Sequence, residues 1–152
     1  MKATIFEIDL GQGTGRGRLM LDLLRFLLAC AFILAGFFKL RDPAAFEVSL
    51  LHWQLFPDGM LGTLVMGVPL VEILAGWACL SPRWRYAGLR FLLCLTSLYT
   101  LLLIVQWVRG ISPDCGCFGS AATHWPYYAL LLRNVSLIGV EVLVIRFYGG
   151  GQ

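Results

Sequence analysis

Charge is scarce in this chain. Of its 152 residues only 14% are Asp, Glu, Lys or Arg, while 59% are hydrophobic and the mean hydropathy is +0.77. A soluble domain carries about a quarter charged residues, so that class is excluded. No nucleic-acid partner is expected either, because neutralising phosphates takes many basic side chains. No internal repeat stands out. At about 20 apolar residues per spanning helix, the length accommodates four spans with short loops and leaves no room for a second, soluble domain. The net charge of +3 matters less by its sum than by its placement along the chain. Five cysteines among so few polar residues are the other oddity.

What is plentiful is uninterrupted apolar sequence. Four stretches, Leu19 to Leu40, Leu61 to Leu80, Ala87 to Val108 and Tyr127 to Phe147, are each about 30 Å or more as helices, enough to cross the hydrocarbon of a bilayer. The third is the cleanest, since Phe91 to Val108 carries no charge. The expectation is an all-α, integral membrane four-helix bundle over residues 19–148, in contact with lipid. A glycine-rich tail (1–18) too light to pack precedes it, and a short tail (149–152) follows. Leu27-Leu28-Ala29-Cys30 looks like a lipoprotein cleavage box. However, Asp22 and Arg25 interrupt the apolar core before it and apolar sequence continues to Leu40 after it, so a retained span is the better reading.

Basic residues set the orientation. Lys2, Arg16, Arg18, Arg25, Arg83, Arg85, Arg90 and Arg146 fall on one side, against Lys39, Arg41 and Arg109 on the other. Both termini are therefore expected in the cytoplasm and the loops 41–60 and 109–126 outside. In the first outer loop, Pro43-Ala44-Ala45-Phe46 followed by Leu50, Leu51, Trp53, Leu55 and Phe56 suits a short helix in the membrane interface. Trp53, Trp107, Trp125, Tyr127 and Tyr128 make an aromatic belt at the same boundary.

The second outer loop contains Pro113-Asp114-Cys115-Gly116-Cys117-Phe118-Gly119, two thiols one residue apart in the expected oxidising compartment. Gly116 gives the backbone freedom to bring the sulfurs together. A bridge across so small a ring closes almost no loop and stabilises little. Strained, exposed disulfides are the exchangeable kind, which favours a redox pair over a structural staple. Asp114 disfavours a thiolate beside it, so activation has to come from Arg109, Lys39 or Arg133. A metal reading stays open. Cys115 and Cys117 with His124, and His52 from the other loop, are donors suited to zinc or copper(I). Cys30, Cys79 and Cys94 lie one in each of the first three spans. They read as small buried hydrophobes, with a Cys79/Cys94 electron relay as the alternative.

Ionisable groups within a span cost ~2.5–3.5 kcal/mol on insertion scales and need a partner or a task. Glu72 sits mid-span three residues after Pro69, and Arg133 lies two turns into the fourth span, so an ion pair between them is expected. Asn134 and Glu141, seven apart, share a helix face turned to the bundle, with Glu141 close to Arg146. Asp22 and Arg25 read as an i,i+3 pair. Ala29, Ala35, Gly36, Gly62, Gly67, Ala75 and Gly76 permit close helix approach. Positive charge on Arg133 beneath the cysteine loop would stabilise a thiolate or a reduced quinone oxygen.

Taken together, Gly36-Phe37-Phe38-Lys39-Leu40-Arg41-Asp42-Pro43-Ala44-Ala45-Phe46, Pro69-Leu70-Val71-Glu72-Ile73-Leu74-Ala75-Gly76, Cys115-Gly116-Cys117-Phe118-Gly119 and Arg133-Asn134 resemble the MauE methylamine utilisation family within the DoxX-like four-helix membrane proteins. The resemblance runs over about residues 19–147 with the motifs in order. It implies a bacterial inner-membrane protein that helps mature disulfide-rich periplasmic clients beside a thioredoxin-like partner. It also implies a redox motif at Cys115 and Cys117, in the geometry set by Gly116, Phe118 and Gly119, with Lys39, Glu72, Arg133 and Asn134 as intramembrane companions. The function expected is thiol-disulfide exchange, with a quinone near Arg133 as the cofactor to consider. A metal-handling protein and a redox-inert docking scaffold are the alternatives.

Overall fold

The structure is a computed structural model that describes residues 15–111 and 126–149. These residues form five helices and no strand: α1 (Gly15–Arg41), α2 (Pro43–Trp53), α3 (Asp58–Leu80), α4 (Arg85–Val108) and α5 (Tyr127–Gly149). Four of them, all but α2, are long and apolar enough to span a bilayer. The outward side chains fit that solvent: Trp77, Leu74, Leu132 and Leu101 are among many large apolar residues left exposed, which a chain in water would bury. The interior, in contrast, holds Lys39, Glu72, Thr96, Gln106, Asn134 and Glu141. Polar groups excluded from lipid find partners only inside the bundle. This is an all-helical, multi-pass membrane protein.

The closest packing is between α1 and α3, and small residues explain it. A side-chain carbon at Gly36 would lie 2.7 Å from the Pro69 carbonyl oxygen, and one at Gly76 would lie 2.9 Å from that of Ala29. Ala29 and Ala75 are buried in the same seam. Gly62 and Gly67 face open space and take no part in it. Gly88 does the same work between α3 and α4, where an added carbon would meet the Cys79 backbone nitrogen at 2.6 Å. Close backbone approach of this kind gives the van der Waals contact that drives helix association in lipid. α5 completes the bundle against α4 and, to a lesser degree, α1.

Two ends of the bundle can be told apart. At the end holding the first and last described residues, Arg25 Nη2 lies 3.2 Å from Asp22 Oδ1, and the Tyr148 hydroxyl donates to the same carboxylate. The guanidiniums of Arg25 and Arg85 lie 5.6 and 5.3 Å from the Tyr148 ring. At the opposite end α4 and α5 are joined by residues 112–125, and the Trp107 and Tyr127 rings stack at 6.2 Å. This end is called the loop end below.

The loop end is shaped by an early stop in α1. Gly36 lies against Pro69, Glu72 and Ile73, and from there α1 runs only about 8 Å further to Arg41, whereas α3 continues about 17 Å from Pro69 to Asp58. Asp42 ends α1 and starts α2. Its Oδ1 accepts from the Ala45 amide at 3.1 Å, and Pro43 occupies the first helical turn, where its missing N–H is no loss. α2 then packs Phe46 and Leu50 against Leu61 and Val65 of α3. It closes with Gln54 in the left-handed region at φ 49°. The Trp53 carbonyl accepts from Gln106 Nε2 at 2.9 Å and from Arg109 Nη1 at 3.1 Å, which ties the end of α2 to the last turns of α4.

Candidate functional site

Where α1 stops short, a cavity of about 170 Å³ remains between α2, α3, α4 and α5. Its walls are mainly apolar and aromatic, from Phe46, Trp53 and Phe56 among others, with Lys39, Tyr99, Arg133 and Asn134 as the polar exceptions. Each polar residue arrives from a different local cause. Lys39 stands on the face of α1 that also buries Ala29, Phe32 and Gly36, and side chains on a helix lean toward its N-terminus. Its ammonium group therefore drops back into the bundle instead of reaching the loop end. Tyr99 shares a face of α4 with Leu92, Thr96 and Gln106, all buried. Asn134 is carried by the face of α5 that also buries Leu130 and Glu141.

Lys39 Nζ donates to Glu72 Oε1, and the Tyr99 hydroxyl donates to the same oxygen. Glu72 Oε2 is buried and has no hydrogen-bond partner among the described residues. The ammonium also sits 5.3 Å from the Phe46 ring centre and 5.2 Å from that of Tyr99, close enough for attraction to the ring faces. Lys39, Glu72 and Tyr99 thus join α1, α3 and α4 through one carboxylate. On α5, Arg133 Nε and Nη2 both donate to Asn134 Oδ1, at 3.3 and 3.2 Å.

That arrangement corrects the expected ion pair. Glu72 pairs with Lys39, not with Arg133, because the early stop of α1 brings Lys39 to the depth of Glu72, while Arg133 is held sideways by Asn134 next to it. Glu141 is also placed differently from expectation. It is fully buried, and Thr96 Oγ1 donates to its Oε1 at 2.9 Å, so its partner is on α4 and not Arg146. Asn134 and Glu141 do share the inward face of α5, as their spacing requires.

Residues 18–148 match the family model described as methylamine utilisation protein MauE. The chain belongs to the MauE family. No curated protein and no solved structure matches it. In this MauE-family chain Cys115, Gly116, Cys117, Phe118, Gly119 and His124 lie outside the described residues. They belong to the segment that connects α4 to α5, the two helices that supply Tyr99, Arg133 and Asn134 to the cavity. His52 is on the exposed side of α2. Among the described residues no group of three or more His, Cys, Asp or Glu is placed to hold a metal ion. Cys79 is buried and Cys94 faces outward.

Tyr99 and Gln106 escape a reading that looks for charged residues in spans. The signal for them was present all the same. In the charge-free run of α4, Thr96, Tyr99 and Gln106 fall at spacings of three and seven, on one face of a helix, and polar groups aligned in that way in an apolar span face a partner and not lipid.

Proposed function

We propose that the protein is a membrane thiol-disulfide exchange component that assists maturation of disulfide-containing periplasmic proteins, working with a thioredoxin-like partner through Cys115 and Cys117. The observation that carries the reading is the Cys115-Gly116-Cys117 sequence in the segment joining α4 to α5, in a chain of the MauE family. In the exchange a thiolate attacks one sulfur of the facing disulfide and displaces the other sulfur as a thiolate, giving a mixed disulfide between the pair and its partner. The second thiol of the attacking pair resolves it, so that one dithiol is oxidised as one disulfide is reduced. In support, the cavity at the same end of the bundle has Arg133 at its edge, and with no carboxylate paired to it among the described residues its positive charge favours anionic species nearby. Among the described residues the basic side chains Arg18, Arg25, Arg83, Arg85, Arg90 and Arg146 gather toward the other end, which supports cytoplasmic termini in a bacterial inner membrane and the cysteine segment on the periplasmic side.

Thiol trapping in native membranes tests the proposal. With Cys117→Ser, the remaining Cys115 thiol is expected to accumulate a mixed disulfide with a partner of thioredoxin-like size, released by reductant. Alkylation should also find Cys115 and Cys117 in both oxidised and reduced forms as the redox poise of the medium changes. If the pair keeps one oxidation state under all conditions and no mixed disulfide forms with either single Ser variant, the proposal fails.

A further inference from the structure

The cavity left by the early stop of α1 is explained neither by packing nor by the thiol chemistry, and its size, walls and polar edge together describe a ligand. A cavity of about 150 Å³ with apolar walls takes up one benzene ring. At about 170 Å³ this one has room for a single substituted six-membered ring. Phe46, Trp53, Phe56 and Tyr99 in its walls suit a flat ring, which stacks favourably on aromatic faces.

The polar edge is rich in donors and poor in acceptors. Arg133 spends two of its N–H groups on Asn134 Oδ1, so the one acceptor oxygen that Asn134 has to offer there is already used. The Asn134 amide nitrogen and Arg133 Nη1 have no acceptor among the described residues, and the Lys39 ammonium has used one of its three protons on Glu72. Lys39 is neutralised by Glu72, but no carboxylate among the described residues pairs with Arg133. A group that fills the site must therefore present acceptor oxygens to Arg133 and Asn134 while offering an apolar surface to the rest. Arg133 itself is exposed, so the polar edge opens to the outside of the bundle, where an apolar tail can lie in lipid.

We infer that this cavity binds the head group of a lipophilic quinone, with a ring carbonyl oxygen accepting from Arg133 and Asn134. This use of the cavity goes beyond the proposed thiol exchange, and only its purpose rests on that reading. Oxidation of a dithiol breaks two S–H bonds, forms one S–S bond and releases two electrons and two protons. Reduction of one quinone takes up the same number and turns its two carbonyl oxygens into hydroxyls.

The test uses the purified full-length chain in lipid nanodiscs, with decylubiquinone as the ligand and an azidoquinone as photolabel. Saturable binding is expected, with the label on peptides of α2, α4 or α5 that line the cavity, and it should be displaced by decylubiquinone. Arg133→Gln, which removes an exposed charge and leaves the packing alone, is expected to weaken binding about tenfold, as loss of one charge-assisted hydrogen bond does. Leu102→Trp, filling the cavity from α4, is expected to abolish it, with a thermal unfolding scan confirming that the variant is folded. The Cys115→Ser/Cys117→Ser double variant is expected to bind normally. The inference is overturned by lack of saturable binding to the wild type, by binding unchanged in both cavity variants, or by displacement with oleate as effective as with decylubiquinone, which would make it a site for an aliphatic carboxylate. Because the double Ser variant should still bind, failure of the thiol reading and failure of the quinone site give different results.

Discussion

Lys39 on α1 and Glu72 on α3 are joined by an ion pair in which both side chains are withdrawn from the surroundings, 3% and 1% exposed. In a bilayer neither charge survives alone. Removing one partner of a buried pair costs about 3–5 kcal/mol, because the other is left uncompensated, whereas replacing both by apolar groups of similar size is often close to neutral. Lys39→Ala and Glu72→Ala are each expected to lower stability by about that amount, and Lys39→Met/Glu72→Leu by clearly less than either. Unfolding of the purified protein by increasing SDS in mixed micelles measures all three. Equal losses in the single and double variants would show that the pair is not the source of the stability.

The seam between α1 and α3 sets a second expectation. An added carbon at Gly36 meets backbone at 2.7 Å, and backbone cannot step aside as a side chain can. Gly36→Ala is expected to destabilise by about 1–3 kcal/mol, as overpacking does. Gly67→Ala, where nothing lies within 4 Å, is expected to be neutral or stabilising by up to about 1 kcal/mol, since alanine is the better helix former. The same SDS titration reads both. A Gly67→Ala loss as large as that of Gly36→Ala would contradict the packing.

Thr96 and Glu141 hold α4 to α5 by one hydrogen bond of 2.9 Å in a fully buried place. Thr96→Val keeps the shape and deletes the donor, leaving both carboxyl oxygens of Glu141 without partners among the described residues, where Oε2 has none already. An unsatisfied buried group costs about 1–3 kcal/mol, and a loss in that range is expected. Glu141→Gln, which still presents an acceptor to Thr96, is expected to lose less. The order of the two variants in thermal unfolding decides, and the reverse order would remove Thr96 as the relevant partner.

The two donors on the Trp53 carbonyl make α2 dependent on α4. Gln106→Leu is expected to release the end of α2 without loosening the four long helices. Loss of a net hydrogen-bond contribution of about 1 kcal/mol should raise the hydrogen exchange of the α2 amides several-fold while those of α3 and α4 stay protected. Mass-spectrometric exchange resolves these segments. Uniform acceleration along the whole chain would mean that Gln106 supports the bundle and not α2 alone.

Much of this architecture is legible in the sequence because the solvent is so demanding. Apolar runs of span length declare four membrane helices, and each polar residue inside them stands out against the run. Glu72, Arg133 and Asn134 are singled out on that ground and Lys39 through the resemblance to the MauE family, and the structure places Lys39, Arg133 and Asn134 in the wall of one cavity with Glu72 bonded to Lys39. The pairing is not legible. Sequence gives depth along each helix but not where that helix begins relative to its neighbours. Counting from the ends of the spans puts Lys39 at the surface, whereas the Asp42-Pro43 break stops α1 below the top of α3 and lowers Lys39 to Glu72. The cavity is hidden for the same reason, since it is the space α1 would have filled.

The cysteines of the spans separate the proposed exchange chemistry from a relay across the membrane. Cys79 is fully buried beneath Gly88, whose missing side chain lets α4 lie on the Cys79 backbone. Cys94 is six residues beyond Gly88, about 120° away from it around α4, and faces outward. Two thiols on different faces, one sealed by packing, do not meet. Oxidation of membranes with copper phenanthroline is accordingly expected to form no Cys79 to Cys94 disulfide, and Cys79→Ala/Cys94→Ala to retain the mixed disulfide trapped by Cys117→Ser. The buried alanine at position 79 should lower stability modestly, which SDS unfolding registers separately from trapping. A double Ala variant that folds but no longer exchanges would bring the spanning cysteines into the path of the electrons after all.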